Sequence, residues 1–552
     1  MEAVSFGYNN SVMTSATSSG NPDKSTSDNT HRKVAGATGI MMLAILASRL
    51  LGLVREAVIS GQFGQSKLSD VYYAAFILPD LLFFLIAGGA LSSAFIPVFT
   101  EKITQGKDNE AWHVFSTVAC VMFVVVSLFV LAGEIFTLPL VSMLNFGFER
   151  DKVIMAVPLT RIVLPAQLCF FLGGLFMGTQ YAQNRFVIPS LGPIIYNVGI
   201  ILGGLVLARF LGVSGLCWGA LIGAIVGNFA LQLWAIKREG MQFSVSFDWK
   251  NPDVMKVWKL MLPVVLGLAL PQVSIMVNRM FATSLANGSM SAISRANQLM
   301  QVPLGVFGQA MAVAIFPTLA AFAARGELAQ MRSTASTGIR NLLFLTIPSS
   351  VLMIVLARPL VQLLLQHGKF HAVDTPMCAK ALAFYSIGIF AWSAQSILSR
   401  AYYAMQDTIT PVVIGTGITA LFIPMNWLFM TPLHMGYVGL CLATTVAAIL
   451  HMVVMQYVLA RRLHGFETKT MMLSLIRILA ASALAGCVAW YIRIALDAHF
   501  VSITTGQVKL HSLLTLLICS AAGVVVYAVS AWLLKADELH TALRMFRRRR
   551  LA

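Results

Sequence analysis

The sequence has 552 residues, of which 58% are hydrophobic and only 11% are charged, and its mean hydropathy is +0.78. This composition excludes an ordinary water-soluble protein, because about 20 consecutive apolar residues can cross a bilayer as a helix and many such runs are present. A net charge of +17 would favour a nucleic-acid partner in a soluble protein, but here the positions of the basic residues matter more than their number.

In chain order, residues 1–36 come first; they are rich in Ser, Thr and Asn and predict a disordered cytoplasmic tail without a cleavable signal peptide. About fourteen apolar stretches of spanning length follow and predict an all-α polytopic membrane protein. Residues 138–146, inside the third stretch, are a candidate interfacial segment. The fourteen stretches lie near residues 37–62, 71–99, 112–146, 153–182, 187–208, 213–236, 255–284, 291–321, 339–365, 377–405, 410–431, 436–460, 471–495 and 512–534.

Lys and Arg concentrate in alternate loops between these stretches. One set of loops carries pairs such as Lys237-Arg238 and the run at 547–550, whereas the other set holds few basic residues, among them Lys67 and Lys369. By the positive-inside rule the basic loops and both termini are cytoplasmic, which an even number of spans requires. The basic tail, residues 536–552, is interpreted as a topology signal and anionic-lipid anchor, so no nucleic-acid partner is expected.

Motifs of enzymes and metal sites are missing from the sequence. The seven cysteines form no CxxC, the ten histidines form no HExxH, and neither a Walker-type loop nor a GxSxG elbow occurs. The chain is therefore expected to be neither an enzyme nor a cofactor- or metal-binding protein. An ion gradient, the membrane potential or a substrate gradient would have to drive any transport.

Two arginines, Arg49 and Arg55, lie inside the first apolar stretch. Because a guanidinium cannot neutralise itself, placing it at hydrocarbon depth is costly unless it faces a wet cavity walled by protein. This predicts a cavity for an anionic substrate. On a straight helix the two side chains point roughly 120° apart, so both reach one cavity only if the helix bends or unwinds, for which Gly52 is the natural place.

An internal repeat spans six of the predicted helices. Four short motifs recur in order at offsets of roughly 220 residues, a spacing typical of a duplicated six-helix unit. An even number of spans in the repeat gives both halves the same orientation, with an axis along the membrane normal. The predicted organisation is residues 1–36 as the tail, 37–238 as the first six-helix lobe, 239–254 as a cytoplasmic linker, 255–462 as the second lobe, 463–535 as two additional helices, and 536–552 as the basic tail.

Further ionisable residues lie in or near the stretches. Glu56 follows Arg55 directly and is a candidate charge partner or proton site, and Asp70 is expected to cap the second helix. Asp80 and Arg279 are expected to be members of ion pairs or to snorkel to the interface. Arg295 lies on a polar stripe of the eighth stretch and is a candidate cavity residue.

Five motifs of the chain resemble, in matching order, those of the MurJ (MviN) family. The resemblance runs from about residue 37 to the end of the chain. The motifs are Ser48-Arg-Leu-Leu-Gly-Leu-Val-Arg-Glu56, Leu78-Pro-Asp-Leu-Leu82 with Gly88-Gly-Ala-Leu-Ser-Ser-Ala-Phe-Ile-Pro97, Ala296-Asn-Gln-Leu-Met-Gln-Val-Pro-Leu-Gly305, Gln366-His-Gly-Lys-Phe370 and Tyr403-Ala-Met-Gln-Asp-Thr-Ile-Thr-Pro411.

The resemblance implies fourteen helices in two six-helix lobes of the MOP exporter superfamily. It also implies a lipid II flippase of peptidoglycan biosynthesis, which moves this undecaprenyl-diphosphate-linked precursor to the outer leaflet of the bacterial cytoplasmic membrane. The implied partners are the lipid-linked diphosphate substrate and membrane lipids, with other cell-wall synthesis proteins as candidates, and the chain is expected to act as a monomer.

The chain departs from the family pattern at two positions. Family members place four arginines in the cavity, of which Arg49 and Arg55 are present. The third position, after Leu82, is occupied here by Phe83-Phe84, and the fourth by Gln298. Arg295 lies one helical turn before Gln298 and could replace it. The candidate substrate-binding residues are therefore Arg49, Arg55, Arg295, Asn297 and Gln298, with Glu56, Asp70 and Asp80 as candidate coupling or ion-pair residues.

Three other functions stay open at this stage. A cation-coupled multidrug or metabolite antiporter of the same superfamily would favour carboxylates over arginines in its cavity. A flippase for undecaprenyl-linked polysaccharide would share the anionic site, and a membrane scaffold for cell-wall complexes would not require arginines within the membrane.

The loop charges predict the topology. A reporter fused after Leu551 should be active in the cytoplasm, and one inserted in the loop between Phe63 and Ser69 should be active outside, because positive loops stay on the cytoplasmic side. An insertion into the 239–251 segment is the cytoplasmic control. A C-terminus found outside would contradict the even-span, two-lobe organisation.

Overall fold

The computed structural model describes residues 44, 46–83, 90–183, 185–465, 467–499, 505–536 and 538–539. The predicted tail 1–36 and most of the tail 536–552 lie outside these residues. Every regular element in the described part of the chain is helical, which confirms the all-α class.

The first half of the chain contains helices α1 to α12. Short π-helical segments at Gly203–Leu207 and Ala224–Ala230 join α9 to α10 and α11 to α12. The helices are α1 (46–63), α2 (Lys67–Ala75), α3 (Ile77–Leu82), α4 (Ala90–Thr104), α5 (Asp108–Ile135), α6 (Thr137–Leu144), α7 (Arg150–Val163), α8 (Ala166–Ala182), α9 (Val187–Leu202), α10 (Ala208–Leu211), α11 (Ser214–Gly223) and α12 (Leu231–Arg238).

The second half and the C-terminal pair contain helices α13 to α23. A π-helical segment at Leu304–Gln309 joins α14 to α15. The helices are α13 (Pro252–Ala282), α14 (Ser289–Pro303), α15 (Ala310–Ala324), α16 (Leu328–Val355), α17 (Ala357–Leu365), α18 (Thr375–Ser386), α19 (Ile389–Ala404), α20 (Ile409–Met430), α21 (Gly436–Arg462), α22 (Thr468–His499) and α23 (Thr505–Leu533).

Ten helical runs among the described residues are long and apolar enough to cross a membrane, and α18 with α19, bent by 41°, makes an eleventh. They coincide with eleven of the predicted stretches, the third to sixth and the eighth to fourteenth. The first, second and seventh stretches include residues or side chains outside the described part, so the count of fourteen stays a prediction. The observed helix of the third stretch, α5, ends at Ile135. Most of the candidate interfacial segment lies in a separate helix, α6.

Helix bounds in the two halves recur at the spacing of the sequence motifs. α4 and α15 are both 15-residue helices with a proline at the eighth position, Pro97 and Pro317. α5 and α16 are both 28 residues long and are followed by the short helices α6 and α17. The ninth predicted stretch, 339–365, is therefore broken at Leu356, the position that corresponds to the break of the third stretch at Phe136.

Contacts between the halves among the described residues include those of α13 and α14. α13 packs against α3, α4 and α5 of the first half, and α14 packs against α2. The last two helices, α22 and α23, pack on each other and on α16 and α17. Large apolar side chains such as Leu128, Ile135, Tyr491 and Trp532 point outward and are more than half exposed, as expected for helices that face lipid.

Glycines allow α9 and α11 to touch backbone to backbone. A Cβ atom added to Gly219 would lie 2.4 Å from the carbonyl oxygen of Gly199, and one added to Gly203 would lie 2.5 Å from that of Gly215. Such close approach is typical of helix interfaces in membranes, where small residues bring backbones together.

Gly219→Ala should lower the stability of the protein by about 1–3 kcal/mol, because the added methyl group forces α9 and α11 apart. Gly174→Ala on α8 is the matched control, since nothing lies within 4 Å of its added Cβ atom. Thermal unfolding in detergent measures both. Equal melting temperatures for the two variants would contradict the close packing of α9 on α11.

Candidate anion-binding cavity

A cavity of about 790 Å³ lies between the two halves of the protein. Its walls are formed by α1, α2, α3 and α9 of the first half and by α13, α14 and α18 to α21 of the second. The lining continues along α19 as far as Ser399, near the end of that helix at Ala404. Both halves therefore contribute to one site, as the repeat predicts for a central cavity.

Arg55 on α1 lines the cavity and is fixed by two partners. Its Nη1 donates to the Oδ1 of Asn197 on α9 at 3.1 Å, and its Nη2 donates to the Oε1 of Glu56 at 3.0 Å. Asn197 is itself held, because its Nδ2 donates to the carbonyl oxygen of Pro193 at 2.9 Å. The guanidinium is thus oriented by neighbours on two helices while part of it, 23% of the side chain, stays exposed.

Glu56 is the charge partner that Arg55 requires. Its side chain is only 5% exposed, and its second carboxylate oxygen accepts a hydrogen bond from the hydroxyl of Tyr73 on α2. Both carboxylate oxygens are therefore engaged. Because α1 places Arg55 and Glu56 side by side and α2 supplies Tyr73, this pair lies entirely within the first half.

Arg49 does not line the cavity, which differs from the prediction that both arginines would face it. Its Nη1 donates to the backbone carbonyl of Gln301 at 3.0 Å, and a Cβ atom on Gly305 would lie 2.8 Å from its guanidinium carbon. The reason is that α1 is an uninterrupted helix through Gly52, so the two side chains diverge as a straight helix requires. Arg49 instead attaches α1 to the second half.

Asn297 and Gln298 on α14 line the cavity together with Gln301. The amide of Gln301 donates to the Oδ1 of Asn297 at 3.4 Å. A Cβ atom on Gly52 would lie 2.8 Å from the Nε2 of Gln298, so Gly52 lets this amide approach α1 closely. The glycine expected to bend α1 therefore makes room for a side chain from the other half.

Asp80 and Arg279 form an ion pair at the cavity wall. The Nη1 of Arg279 on α13 donates to the Oδ2 of Asp80 on α3 at 2.6 Å, and both residues line the cavity. The side chain of Arg279 is 27% exposed and that of Asp80 is 41% exposed, so this pair is more open to solvent than the pair of Arg55 and Glu56. The ion pair joins the first half to the second.

Arginines and carboxylates balance in this cavity. Among the described lining residues, Arg55 is paired with Glu56 and Arg279 with Asp80, and His451 is the remaining basic group. The sequence analysis named Glu56 as a candidate charge partner and expected Asp80 and Arg279 to be ion-pair members, and both pairs form. In this conformation their charges are neutralised, which lowers the cost of holding them at depth without substrate.

Asp70 caps a different helix from the predicted one. It lies in the first turn of α2, but its carboxylate accepts from the backbone N–H groups of Gly288 at 2.6 Å and Ser291 at 2.8 Å. These donors begin α14, so Asp70 caps a helix of the other half. Ser66 and Ser69 cap α2 instead. A carboxylate at a helix N-terminus is stabilised by unpaired N–H groups and by the helix dipole.

Arg295 lies beneath this cap and away from the cavity lining. It is completely buried, its Nη2 donates to the carbonyl oxygen of Gly64 at 2.7 Å, and its guanidinium lies over the ring of Phe370. Its Nε and Nη1 have no hydrogen-bond partner among the described residues. The predicted substrate contact of Arg295 is therefore not made in this conformation, because the residue packs against the loop that follows α1.

These contacts seal one end of the cavity, here called the closed end and formed by residues 61–70, 283–295 and 366–371. The N–H of Lys369 donates to the carbonyl oxygen of Gly61 at 2.8 Å. Gly64, with φ at +62°, lies against the Lys369 backbone too closely for a Cβ atom. Burial lowers the pKa of His367 beneath its usual value, assisted by the charge of Lys509 and opposed by the Ala57 backbone, so the imidazole packs there uncharged at neutral pH.

Sequence reasoning missed several residues that the structure brings into the site. Asn197 binds Arg55, Tyr73 binds its partner Glu56, and Tyr196 lines the same cavity, although no sequence motif joins these residues to Arg55. Arg279 was expected only as an ion-pair residue, yet it lines the cavity. A polar residue such as Asn197 in an otherwise apolar stretch is the one signal that could have indicated a buried partner.

Two solved structures share the fold of this chain. A lipid II flippase MurJ in an inward closed conformation aligns with a TM-score of 0.75 at 24% identity, covering 90% of this chain and 99% of that one. An inward-facing multidrug resistance MATE family transporter of the MOP superfamily aligns with a TM-score of 0.63 at 15% identity, covering 76% and 94%. The chain therefore shares the fold of these two solved proteins.

The chain belongs to the MurJ family, since the family model described as lipid II flippase MurJ matches residues 59–530. It is 31% identical over 431 residues to the probable lipid II flippase MurJ of Vibrio cholerae, covering 75% of this chain and 81% of that relative. It is also 31% identical over 415 residues to the lipid II flippase MurJ of Burkholderia cenocepacia, covering 74% and 80%. With its apolar helices, the chain is a multi-pass protein of the bacterial inner membrane.

Asp70→Asn should weaken the closed end, because an amide accepts the two backbone hydrogen bonds less strongly than a carboxylate. Hydrogen bonds to charged groups contribute about 1.5–3 kcal/mol, so opening should become roughly tenfold more frequent. The measurement is the rate at which a maleimide labels Met290→Cys, a buried position of α14, in a background without the native cysteines.

Asp151→Asn is the control for this experiment. Asp151 is exposed and its Oδ2 lies 3.8 Å from the Nζ of Lys67, at the same end of the protein. Its substitution removes this ion pair and leaves the cap of α14 intact. Its labelling rate should equal that of the parent protein. Equal rates for Asp70→Asn and Asp151→Asn would show that the α14 cap does not hold the end closed.

Proposed function

We propose that this chain moves lipid II, a lipid-linked diphosphate, from the inner to the outer leaflet of the bacterial cytoplasmic membrane by alternating access. Membership of the MurJ family and the shared fold support the substrate and the mode of transport. The observation that carries the proposal is Arg55. It lies in the motif that matches the family and presents its guanidinium, held by Asn197 and Glu56, to a cavity between two lobes.

The chemistry of the cavity suits a diphosphate headgroup. Guanidinium groups bind phosphate oxygens through two parallel N–H donors, and their charge does not depend on pH. A diphosphate with its sugars cannot cross hydrocarbon unaided, so the cavity replaces its water with arginine and amide donors from Asn297 and Gln298. The prenyl tail stays in lipid, along a groove or along α22 and α23.

Alternating access follows from the arrangement of the closed end. The Asp70 cap and the Arg295–Gly64 contact join the halves at one end, while the cavity extends from Arg55 along α19. Rocking of the lobes would break these contacts and expose the site on the opposite side of the membrane. By the positive-inside rule, the distribution of loop charges favours an arrangement with the closed end outside and both termini in the cytoplasm.

The remaining parts of the proposal concern energy and assembly. The protein acts as a transporter rather than an enzyme and as a monomer, with cell-wall synthesis proteins as candidate partners. An ion gradient or the membrane potential sets the direction of transport. The antiporter alternative is less well supported, because Glu56 and Asp80, the carboxylates that would bind a cation, are each paired with an arginine.

Arg55→Ala should reduce lipid II flipping at least tenfold, and Arg55→Lys should restore little because the planar fork is lost. The assay is complementation of a strain depleted of its peptidoglycan flippase, with accessibility of lipid II at the outer leaflet as the readout. Because Arg55→Ala leaves Glu56 buried and unpaired, Arg55→Ala with Glu56→Gln is tested alongside.

Arg209→Ala, which removes an exposed arginine at the end of α10, is the control and should flip normally. Each variant is compared at equal amounts of membrane-inserted protein. Normal lipid II exposure by the Arg55→Ala and Glu56→Gln double variant would exclude Arg55 as the diphosphate site. If the parent chain does not complement the depleted strain, the proposed function itself is contradicted.

A further inference from the structure

The ion pair between Asp80 and Arg279 differs from the one at Arg55 in where its members come from. Glu56 and Arg55 are neighbours on α1, so their contact persists however the two halves move. Asp80 belongs to α3, which packs on α6 and α7, whereas Arg279 belongs to α13, the first helix of the second half. Their 2.6 Å contact therefore exists only while the halves keep their present arrangement.

Arg279 is fixed to the second half by the residue that precedes it. The Nδ2 of Asn278 donates to the hydroxyl of Tyr385 on α18 at 2.9 Å and to the Oγ1 of Thr444 on α21 at 3.2 Å. This part of α13 is thereby attached to α18 and α21. A movement between the halves would carry Arg279 with these helices and leave Asp80 behind.

The surroundings of this ion pair allow it to exchange partners. Both side chains border the cavity and are partly exposed, 27% for Arg279 and 41% for Asp80. Ion pairs that reach solvent contribute little to stability, whereas a diphosphate offers a guanidinium more negative charge and more acceptor oxygens than one carboxylate does. The Glu56 carboxylate, by contrast, is 5% exposed and holds Tyr73 as well, so it cannot leave easily.

A diphosphate has more acceptor oxygens than Arg55 has free donors. The bonds to Asn197 and Glu56 use one N–H of each terminal nitrogen and Nε is buried, which leaves one N–H on each terminal nitrogen for the substrate. Arg279 is the other arginine among the described residues that line the cavity. Both arginines, together with Asp80 and Tyr196, line the same cavity of about 790 Å³.

We propose that Arg279 is a second phosphate-binding residue and that Asp80 occupies it only while the cavity is empty. The arriving diphosphate displaces the Asp80 carboxylate from the Arg279 guanidinium, so binding of the substrate also breaks a contact between the halves. Substrate recognition and release of the lobes are then one event. This inference rests on the proposed function, because it assumes a diphosphate substrate.

The proposal predicts opposite effects for the two members of the pair. Full-length protein in lipid nanodiscs is titrated with farnesyl diphosphate, a soluble prenyl diphosphate, by isothermal calorimetry. Asp80→Asn should bind it at least fivefold more tightly, because Arg279 no longer has a competing carboxylate. Arg279→Gln should bind at least tenfold more weakly, and Asp80→Asn with Arg279→Gln should be as weak as Arg279→Gln alone.

A purely structural ion pair would give a different pattern. Loss of either member would then loosen the halves equally, and both single variants would change affinity in the same direction. Asp80→Asn binding no more tightly than the parent, or Arg279→Gln binding as the parent does, overturns the proposal. Arg279→Lys, which keeps the charge, and melting curves of all variants separate weak binding from misfolding.

Asp407→Asn is the matched control. Asp407 pairs with Arg462 at the ends of helices in the second half, outside the cavity lining, so its loss should leave the affinity unchanged. Failure of this inference differs from failure of the function. If Arg55→Ala abolishes lipid II exposure while Arg279→Gln binds normally, only the role of Arg279 is lost. If the parent protein binds no farnesyl diphosphate, both the role of Arg279 and the proposed function are contradicted.

Discussion

The cost of holding an arginine within a membrane protein is the constraint on which the site depends. A charge at bilayer depth costs several kcal/mol unless it is paired or hydrated. Arg55 meets this condition through Glu56, and Glu56 in turn requires Tyr73. α1, α2 and α9 are therefore positioned around one guanidinium, and the cavity wall of the first half is a consequence of that pairing.

The same constraint acts differently in the two halves. Each half begins with a helix that supplies a cavity arginine, Arg55 from α1 and Arg279 from α13. The first is neutralised by its neighbour in the chain and the second by Asp80 from the other half. A duplicated architecture thus carries one permanent ion pair and one that depends on the relative position of the halves.

Backbone groups, rather than exposed charge pairs, hold the closed end. Asp70 accepts from two backbone N–H groups, and Arg295 donates to a backbone carbonyl. Glycine is required at position 288, where segments of the two halves meet. Its φ is +87°, and Gln65 lies too close to leave room for a Cβ atom there.

The sequence by itself determined the helical class, the bounds of most spanning helices, the repeat and the family, because hydropathy and local motifs are properties of contiguous residues. It also placed Arg55 and Glu56 together, since they are adjacent. Only the tertiary structure decided that Asp70 caps α14, that Arg49 donates to the backbone of Gln301 and that Arg279 meets Asp80. These contacts join residues about 200 or more positions apart, from 199 for Arg279 and Asp80 to 252 for Arg49 and Gln301, and the packing of the two halves alone selects such partners.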